Sequence, residues 1–212
     1  MAAGSVRRRY YVRHIARYTQ KNNLLIALGG LFVAGMALGV FMLGGAGDET
    51  ISLFESLVGG VITRRAEANL SDNFIAAFGS SMLFVSAVFV MGFCAIAGPA
   101  IFAVPFVRGL GFGFSAALLY LRYGASAAGT VGILMLPGML ISTLAILLCC
   151  RQALGLSAGF LTALRDTEIK TAQHPSLRGY CLSFALLTGL CAISAFIEAA
   201  LYLAFANSLV LG

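Results

Sequence analysis

The stretch "PFVRGLGFGF", Pro105–Phe114, lies in the middle of a very apolar region. It holds one arginine, Arg108, and three glycines at alternate positions, Gly109, Gly111 and Gly113. A permanent charge and three poor helix formers thus stand where the surrounding hydropathy calls for a membrane helix. Gly109 and Gly113 are four apart and share one helical face, which Ala117 extends; Gly111 flanks it. Such a smooth strip lets a neighbouring helix approach backbone to backbone. Phe112 and Phe114 point elsewhere, to lipid or into grooves. The spacing is GxGxG rather than GxGxxG, so a phosphate-binding loop is set aside; such a loop also needs a preceding strand and water around it.

The rest of the chain explains why a bundle is needed. Of 212 residues, 60% are hydrophobic and only 10% charged, and mean hydropathy is +0.95. A soluble domain carries about 25% charged residues. Several apolar runs reach the ~20 residues that cross a ~30 Å hydrocarbon core. The composition therefore predicts an all-α, polytopic transmembrane helix bundle, one domain over residues 1–212. The predicted spans are 24–43, 74–97, 100–121, 126–150 and 180–205. The first 23 residues are strongly basic, and the apolar run after them is too long for a signal peptide and lacks an A-x-A-like site, so the first span is expected to be retained.

Charge sets the expected orientation. The net charge of +6 is concentrated beside the apolar runs, a topology signal rather than a nucleic-acid one. Arg7, Arg8, Arg9, Arg13, Arg17 and Lys21 alternate with Tyr10, Tyr11, Val12, Ile15 and Tyr18, as in a basic interfacial helix on an anionic leaflet. Residues 151–178 are also net basic. Within them Ala153–Leu164 is apolar but too short to span, and reads as interfacial or re-entrant. Residues 45–72 are acidic, with Asp48, Glu49, Glu55, Glu67 and Asp72 against Arg64 and Arg65. The N-terminus is expected in the cytoplasm, the acidic segment and the C-terminus outside. Phe54, Leu57, Val58, Val61 and Ile62 recur at helical spacing and predict an amphipathic helix over Thr50–Asn69 on the outer surface, suited to docking a partner or to capping the bundle.

Other positions carry packing expectations. Gly35 and Gly39 form a GxxxG pair in span one, suited to a close helix contact, within the chain or in a homodimer. Pro99 and Pro105 argue against one regular helix through both. Arg108 is then expected near the cytoplasmic interface, or facing the bundle interior with a partner. Pro137 is expected near the middle of span four. Glu198, a carboxylate within span five, suggests a transport step, an ion pair with Arg108 or Arg122, or a bond to a backbone carbonyl. Depth favours Arg122.

The motifs of membrane-embedded chemistry are missing. HExxH, GxSxG and Walker A patterns do not occur. The histidines His14 and His174 and the aspartates Asp48, Asp72 and Asp166 all fall outside the predicted spans. The five cysteines lack CxxC spacing, so no metal or cofactor is expected. The reading is non-enzymatic.

Four stretches carry a family resemblance. Phe106-Val107-Arg108-Gly109 with Gly113-Phe114, after an apolar run ending at Pro99, resembles the stage II sporulation protein M family, where an apolar-basic-Gly-x-x-x-Gly pattern opens a span. "VRHIARYTQKNNLLIAL", Val12–Leu28, is similar to that family's basic approach to its first span. Leu136-Pro137 matches its Leu-Pro, and "AISAFIEAAL", Ala192–Leu201, is similar to its last span, with Glu198-Ala199. The family often has an asparagine early in span two, where Ser80 and Ser81 stand here, and a polar residue after Leu-Pro, where Gly138-Met139 stand. The resemblance implies a membrane anchor for stage II sporulation proteins D and P, the peptidoglycan-degrading enzymes of forespore engulfment, in the mother-cell membrane. The alternative is a permease-type subunit working with an ATPase, with the broken spans lining a path and the 151–178 loop as coupling surface.

Overall fold

The computed structural model describes residues 3–45, 69–94, 96–124, 136–165 and 177–209. They form five α-helices, with no strand among the described residues. The helices are α1 (Ala3–Gly44), α2 (Leu70–Gly92), α3 (Gly98–Tyr123), α4 (Leu136–Arg165) and α5 (Leu177–Leu209). Each contains a segment of 22 to 28 residues that is long and apolar enough to cross a membrane. At 1.5 Å per residue these run about 33–42 Å, against the ~30 Å of hydrocarbon. Helices are the expected solution, because lipid leaves no partner for a backbone amide outside its own segment.

Large apolar side chains lie on the outside: Phe41, Leu83, Ile96, Leu186 and Leu203 are all largely exposed. The interior is apolar as well, with Val85, Val88, Ile101, Ile146, Phe184 and Leu187 packed around Cys149, Cys150 and Cys191. Polar side chains are buried there too: Asn73, Ser81, Ser142, Thr143, Ser157 and Ser194. A protein interior in lipid gains little from being apolar and much from close contact.

The bundle has two parts. α1 and α3 form its most extensive helix pair, while α2, α4 and α5 pack on one another as a three-helix unit. α1 and α3 run parallel: Phe32 lies against Gly109 and Met36 against Gly113, so both chains advance in the same direction. α4 and α5 run antiparallel, since Gly138 meets Glu198 near one end. At the other end Ala153 and Tyr180 both meet Gly92.

The structure revises several boundaries. The basic N-terminal segment and the first span are one unbroken helix rather than two elements. α3 is continuous through both prolines. Pro99 sits in its first turn, where a missing N–H costs nothing. Pro105 lies inside the helix, fully buried, and leaves the Ile101 carbonyl without its amide partner one turn back. α3 ends at Gly124, whose φ of +58° suits glycine. α4 is described from Leu136, with Pro137 as its second described residue. Nothing interrupts the helix after Cys150. Arg151 and Gln152 are good helix formers, and Ala153–Leu164 continues the same span instead of forming a separate interfacial piece. Residues 126–135 of the expected fourth span lie outside the described residues, as does the expected outer helix Thr50–Asn69 apart from Asn69. That residue has extended backbone and precedes α2.

Candidate functional site

The glycine strips pair with each other. A β-carbon placed on Gly109 would overlap the Phe32 carbonyl, and one on Gly113 the Met36 carbonyl. From the other side, a β-carbon on Gly35 would overlap the Phe106 carbonyl, and one on Gly39 would lie 2.6 Å from the Leu110 carbonyl oxygen and 3.2 Å from Gly113 Cα. Ordinary contact at such a carbon is 3.4–4 Å. The four glycines are therefore required by a backbone-on-backbone contact more than two turns long. Gly111, between the two required glycines of α3, has nothing within 4 Å of its hypothetical β-carbon and faces outward. The alternation in "RGLGFG" thus splits into two glycines that serve the contact and one that does not. Both GxxxG motifs are spent inside one chain.

Arg108 lies next to this contact but points away from it. It stands ten residues into α3, about 15 Å along the axis at 1.5 Å per residue, near the middle of the spanning segment Gly98–Leu121. It is half-buried and faces the three-helix unit. Its guanidinium Nη2 donates to Ser142 Oγ of α4 at 3.3 Å, and its Cζ lies 5.2 Å from the centre of the Phe84 ring of α2. One side chain thus touches both neighbouring helices. The guanidinium suits this place because it can combine a hydrogen bond with an aromatic face, the latter worth about 0.5–2 kcal/mol when desolvated. These contacts fit the alternative of an interior-facing arginine with a partner. A continuous helix from Gly98 places Arg108 deeper than a helix starting at Ala103 would.

Glu198 of α5 rests on the first turn of α4. A β-carbon on Gly138 would lie 2.8 Å from Glu198 Cβ and 3.2 Å from its Oε2. Ser194, one turn before Glu198, donates its hydroxyl to the Gly138 carbonyl. Ser142 in turn donates to the Met139 carbonyl at 3.0 Å while accepting from Arg108. The first two turns of α4 are therefore held from both sides, by Arg108 of α3 and by Ser194 and Glu198 of α5. The anchoring points of Arg108 and Glu198 on α4, Ser142 and Gly138, are one turn apart. The depth argument that set Arg108 and Glu198 at opposite faces accordingly fails. The side chain of Arg122 lies outside the described residues.

A second polar and aromatic knot closes the other end. Tyr180 Oη donates to the Phe89 carbonyl at 3.1 Å, its ring fits over Gly92, and it packs on Phe89, Phe93 and Phe184 with ring centres 4.6–5.6 Å apart. Ser157 donates to the Cys94 carbonyl at 2.8 Å. Here α5 is joined to the last turn of α2 through the Phe89 carbonyl, and α4 to the turn just beyond α2 through the Cys94 carbonyl, which also accepts from the Ala97 amide.

Of the site residues expected from sequence, Gly35, Gly39, Gly109 and Gly113 meet in one contact, and Arg108, Pro137 and Glu198 gather around the start of α4. Phe54, Leu57, Val58, Val61 and Ile62 lie outside the described residues. Sequence reading missed Ser142, Ser194, Tyr180 and Gly138. A serine in an apolar run gives no signal of which carbonyl it will meet. Asn73 was also missed, because starting span two at Phe74 left it in a loop; it is buried in the first turn of α2.

The polar groups described here mostly serve backbone carbonyls. Such an arrangement fixes helix spacing and depth. Compared with known proteins, the chain matches no family model, no curated protein and no solved structure.

Proposed function

We propose that this protein is a non-enzymatic membrane scaffold that anchors and localises peptidoglycan-degrading enzymes, of the kind of stage II sporulation proteins D and P, during forespore engulfment. One observation carries the reading. Two of the motifs behind the resemblance to the stage II sporulation protein M family fall on helix contacts: Arg108-Gly109 with Gly113, and Glu198-Ala199. Their side chains set the shape of the bundle, as a scaffold requires. In this reading the N-terminus is cytoplasmic, the C-terminus and residues 45–69 are external, and the outer segment around Phe54–Ile62 holds the enzymes.

The test is a mild-detergent pulldown of tagged protein from native membranes, sampled during engulfment where the cells sporulate, with partners identified by mass spectrometry. Peptidoglycan hydrolases in the eluate support the scaffold. An ATPase without any hydrolase overturns it in favour of a permease-type subunit. The observation that favours that second reading is an arginine and a glutamate held within the spans of one bundle, since intramembrane ionisable residues commonly mark substrate or ion pathways.

A further inference from the structure

We infer that Arg151 and Gln152 of α4 form a headgroup site for an anionic phospholipid, with the guanidinium on the lipid phosphate. The inference does not depend on the scaffold reading.

It starts from what these two side chains lack. Elsewhere in the spans, polar groups mostly close on carbonyls or on one another. Ser80, Ser86 and Ser115 turn back on carbonyls of their own helices, and Arg108 bonds Ser142. Arg151 and Gln152 are half-buried within the spanning segment Leu136–Leu161. Neither has a hydrogen bond, ion pair or ring contact among the described residues. A guanidinium keeps its charge even in a span, so Arg151 calls for an anion. The described carboxylates stand at the wrong end of the bundle. Asp72 is in the first turn of α2, and Glu198 lies against Gly138.

Register and depth place Arg151 where a lipid headgroup can reach it. Leu140, Leu144, Gly155 and Ala158 are exposed, and Arg151 falls in line with them at steps of three and four residues. That stripe is the face α4 turns to lipid. Ala153, two residues further on, meets Gly92 at the end of α2, as Tyr180 does. Arg151 therefore lies only about 3 Å inside the level at which α2 ends. An arginine stem covers such a depth while its head meets the polar layer. Gly155, one turn nearer that layer, has nothing within 4 Å of its hypothetical β-carbon, so the approach is open.

Charge complementarity selects the occupant. A second copy in the same membrane orientation carries the carboxylates Asp72 and Glu198 at the same wrong end. A phosphate of the adjoining leaflet is the anion at the right depth. The guanidinium forks onto two phosphate oxygens, and the Gln152 amide has donors for other headgroup oxygens. A lipid with net negative charge suits the site better than phosphatidylcholine, whose own ammonium already neutralises its phosphate.

Native mass spectrometry of the full-length protein tests this, with phosphatidylglycerol or phosphatidylcholine of the same chains added to the detergent micelles. The first phosphatidylglycerol should bind in preference to phosphatidylcholine. Arg151→Leu should weaken that first binding by about tenfold, the scale of one charge-assisted hydrogen bond. Arg178→Leu removes an exposed charge at the same end and should change it by less than about twofold, as for a solvated surface charge. Should Arg151→Leu not accumulate, Arg151→Gln keeps a polar stem without the charge, and the same loss is expected. Unchanged phosphatidylglycerol binding in whichever variant is recovered overturns the site. An equal loss in Arg178→Leu also overturns it, by showing a diffuse basic surface. No preference over phosphatidylcholine overturns the anionic headgroup. Displacement of the bound lipid by excess inorganic phosphate would assign the site to a soluble anion and overturn the lipid assignment; retention of the lipid supports it.

Discussion

The three glycines of "RGLGFG" allow one chemical change, glycine to alanine, to be made at neighbouring sites with opposite expected signs. At Gly109 the new methyl overlaps the Phe32 carbonyl oxygen and lies 3.0 Å from its carbon and 3.1 Å from the Met36 nitrogen. All three are backbone atoms, so no side-chain rotation relieves the overlap and α1 must move off α3. Overpacking of this kind costs about 1–3 kcal/mol, and the weak Cα–H···O contacts of a close pair, worth perhaps 0.5–1 kcal/mol each, are lost as well. Against this stands a helix-propensity gain of about 1 kcal/mol for alanine over glycine. We expect Gly109→Ala and Gly113→Ala to be destabilised by about 1–2 kcal/mol, the middle of the range left when the propensity gain is taken from the overpacking cost and the lost weak contacts together. At Gly111 the methyl meets nothing within 4 Å, so only the propensity gain remains, up to about 1 kcal/mol of stabilisation. The gap between the two classes is about 2–3 kcal/mol, roughly 30–140-fold in the unfolding equilibrium. Reversible unfolding in mixed micelles, titrated with a denaturing detergent and followed by circular dichroism, reads it directly. The partner strip supplies a control: Gly35→Ala combined with Gly109→Ala should cost less than the sum of the two, because the helices separate only once. If Gly109→Ala proves as stable as Gly111→Ala, the backbone contact between α1 and α3 is wrong.

Further expectations use the same assay. Gly138→Ala should lose about 1–3 kcal/mol through overlap with Glu198, and Glu198→Ala in the same chain should recover part of it; no recovery would mean that Glu198 is not the obstruction. Ser142 and Thr143 are adjacent and both buried, but Thr143 Oγ1 has no hydrogen-bond partner. Ser142→Ala should therefore destabilise by about 0.6–1.7 kcal/mol, while Thr143→Val removes an unsatisfied hydroxyl and should be neutral or stabilising by up to about 1 kcal/mol. Tyr180→Phe should cost about 0.5–1.5 kcal/mol for the bond to Phe89. It should also make Gly92→Ala better tolerated, since the hydroxyl is the atom that an added methyl at Gly92 strikes first; additive costs would refute that fit.

How far the sequence reached depended on what kind of force each feature reports. Crossing a membrane is a local, additive matter of transfer free energy, so runs of apolar residues disclosed five spans in order. The boundaries slipped where proline was read as a break. Pro99 lies in a first turn, and Pro105 is buried within the same helix, so neither interrupts a span. The face of α3 that packs closely was also legible, because four-residue spacing of Gly109 and Gly113 has a geometric meaning on any helix.

Which helix that face would meet was not legible. Gly35 and Gly39 suit Gly109 and Gly113, but they suit a second copy of the chain equally well, and no residue in either strip chooses between them. In water, an apolar stripe points to the core; in lipid, both faces of a helix are apolar, and that signal disappears. The serine hydroxyls meet their carbonyls only after the helices have been placed. So the sequence alone determined that the chain forms membrane-crossing helices and that some of them must touch closely. The tertiary structure decided that α1 takes α3 as its parallel partner, that Arg108 reaches Phe84 and Ser142 together, and that Glu198 comes to rest on Gly138. Those outcomes depend on depth and rotation shared among several helices, which no local pattern encodes.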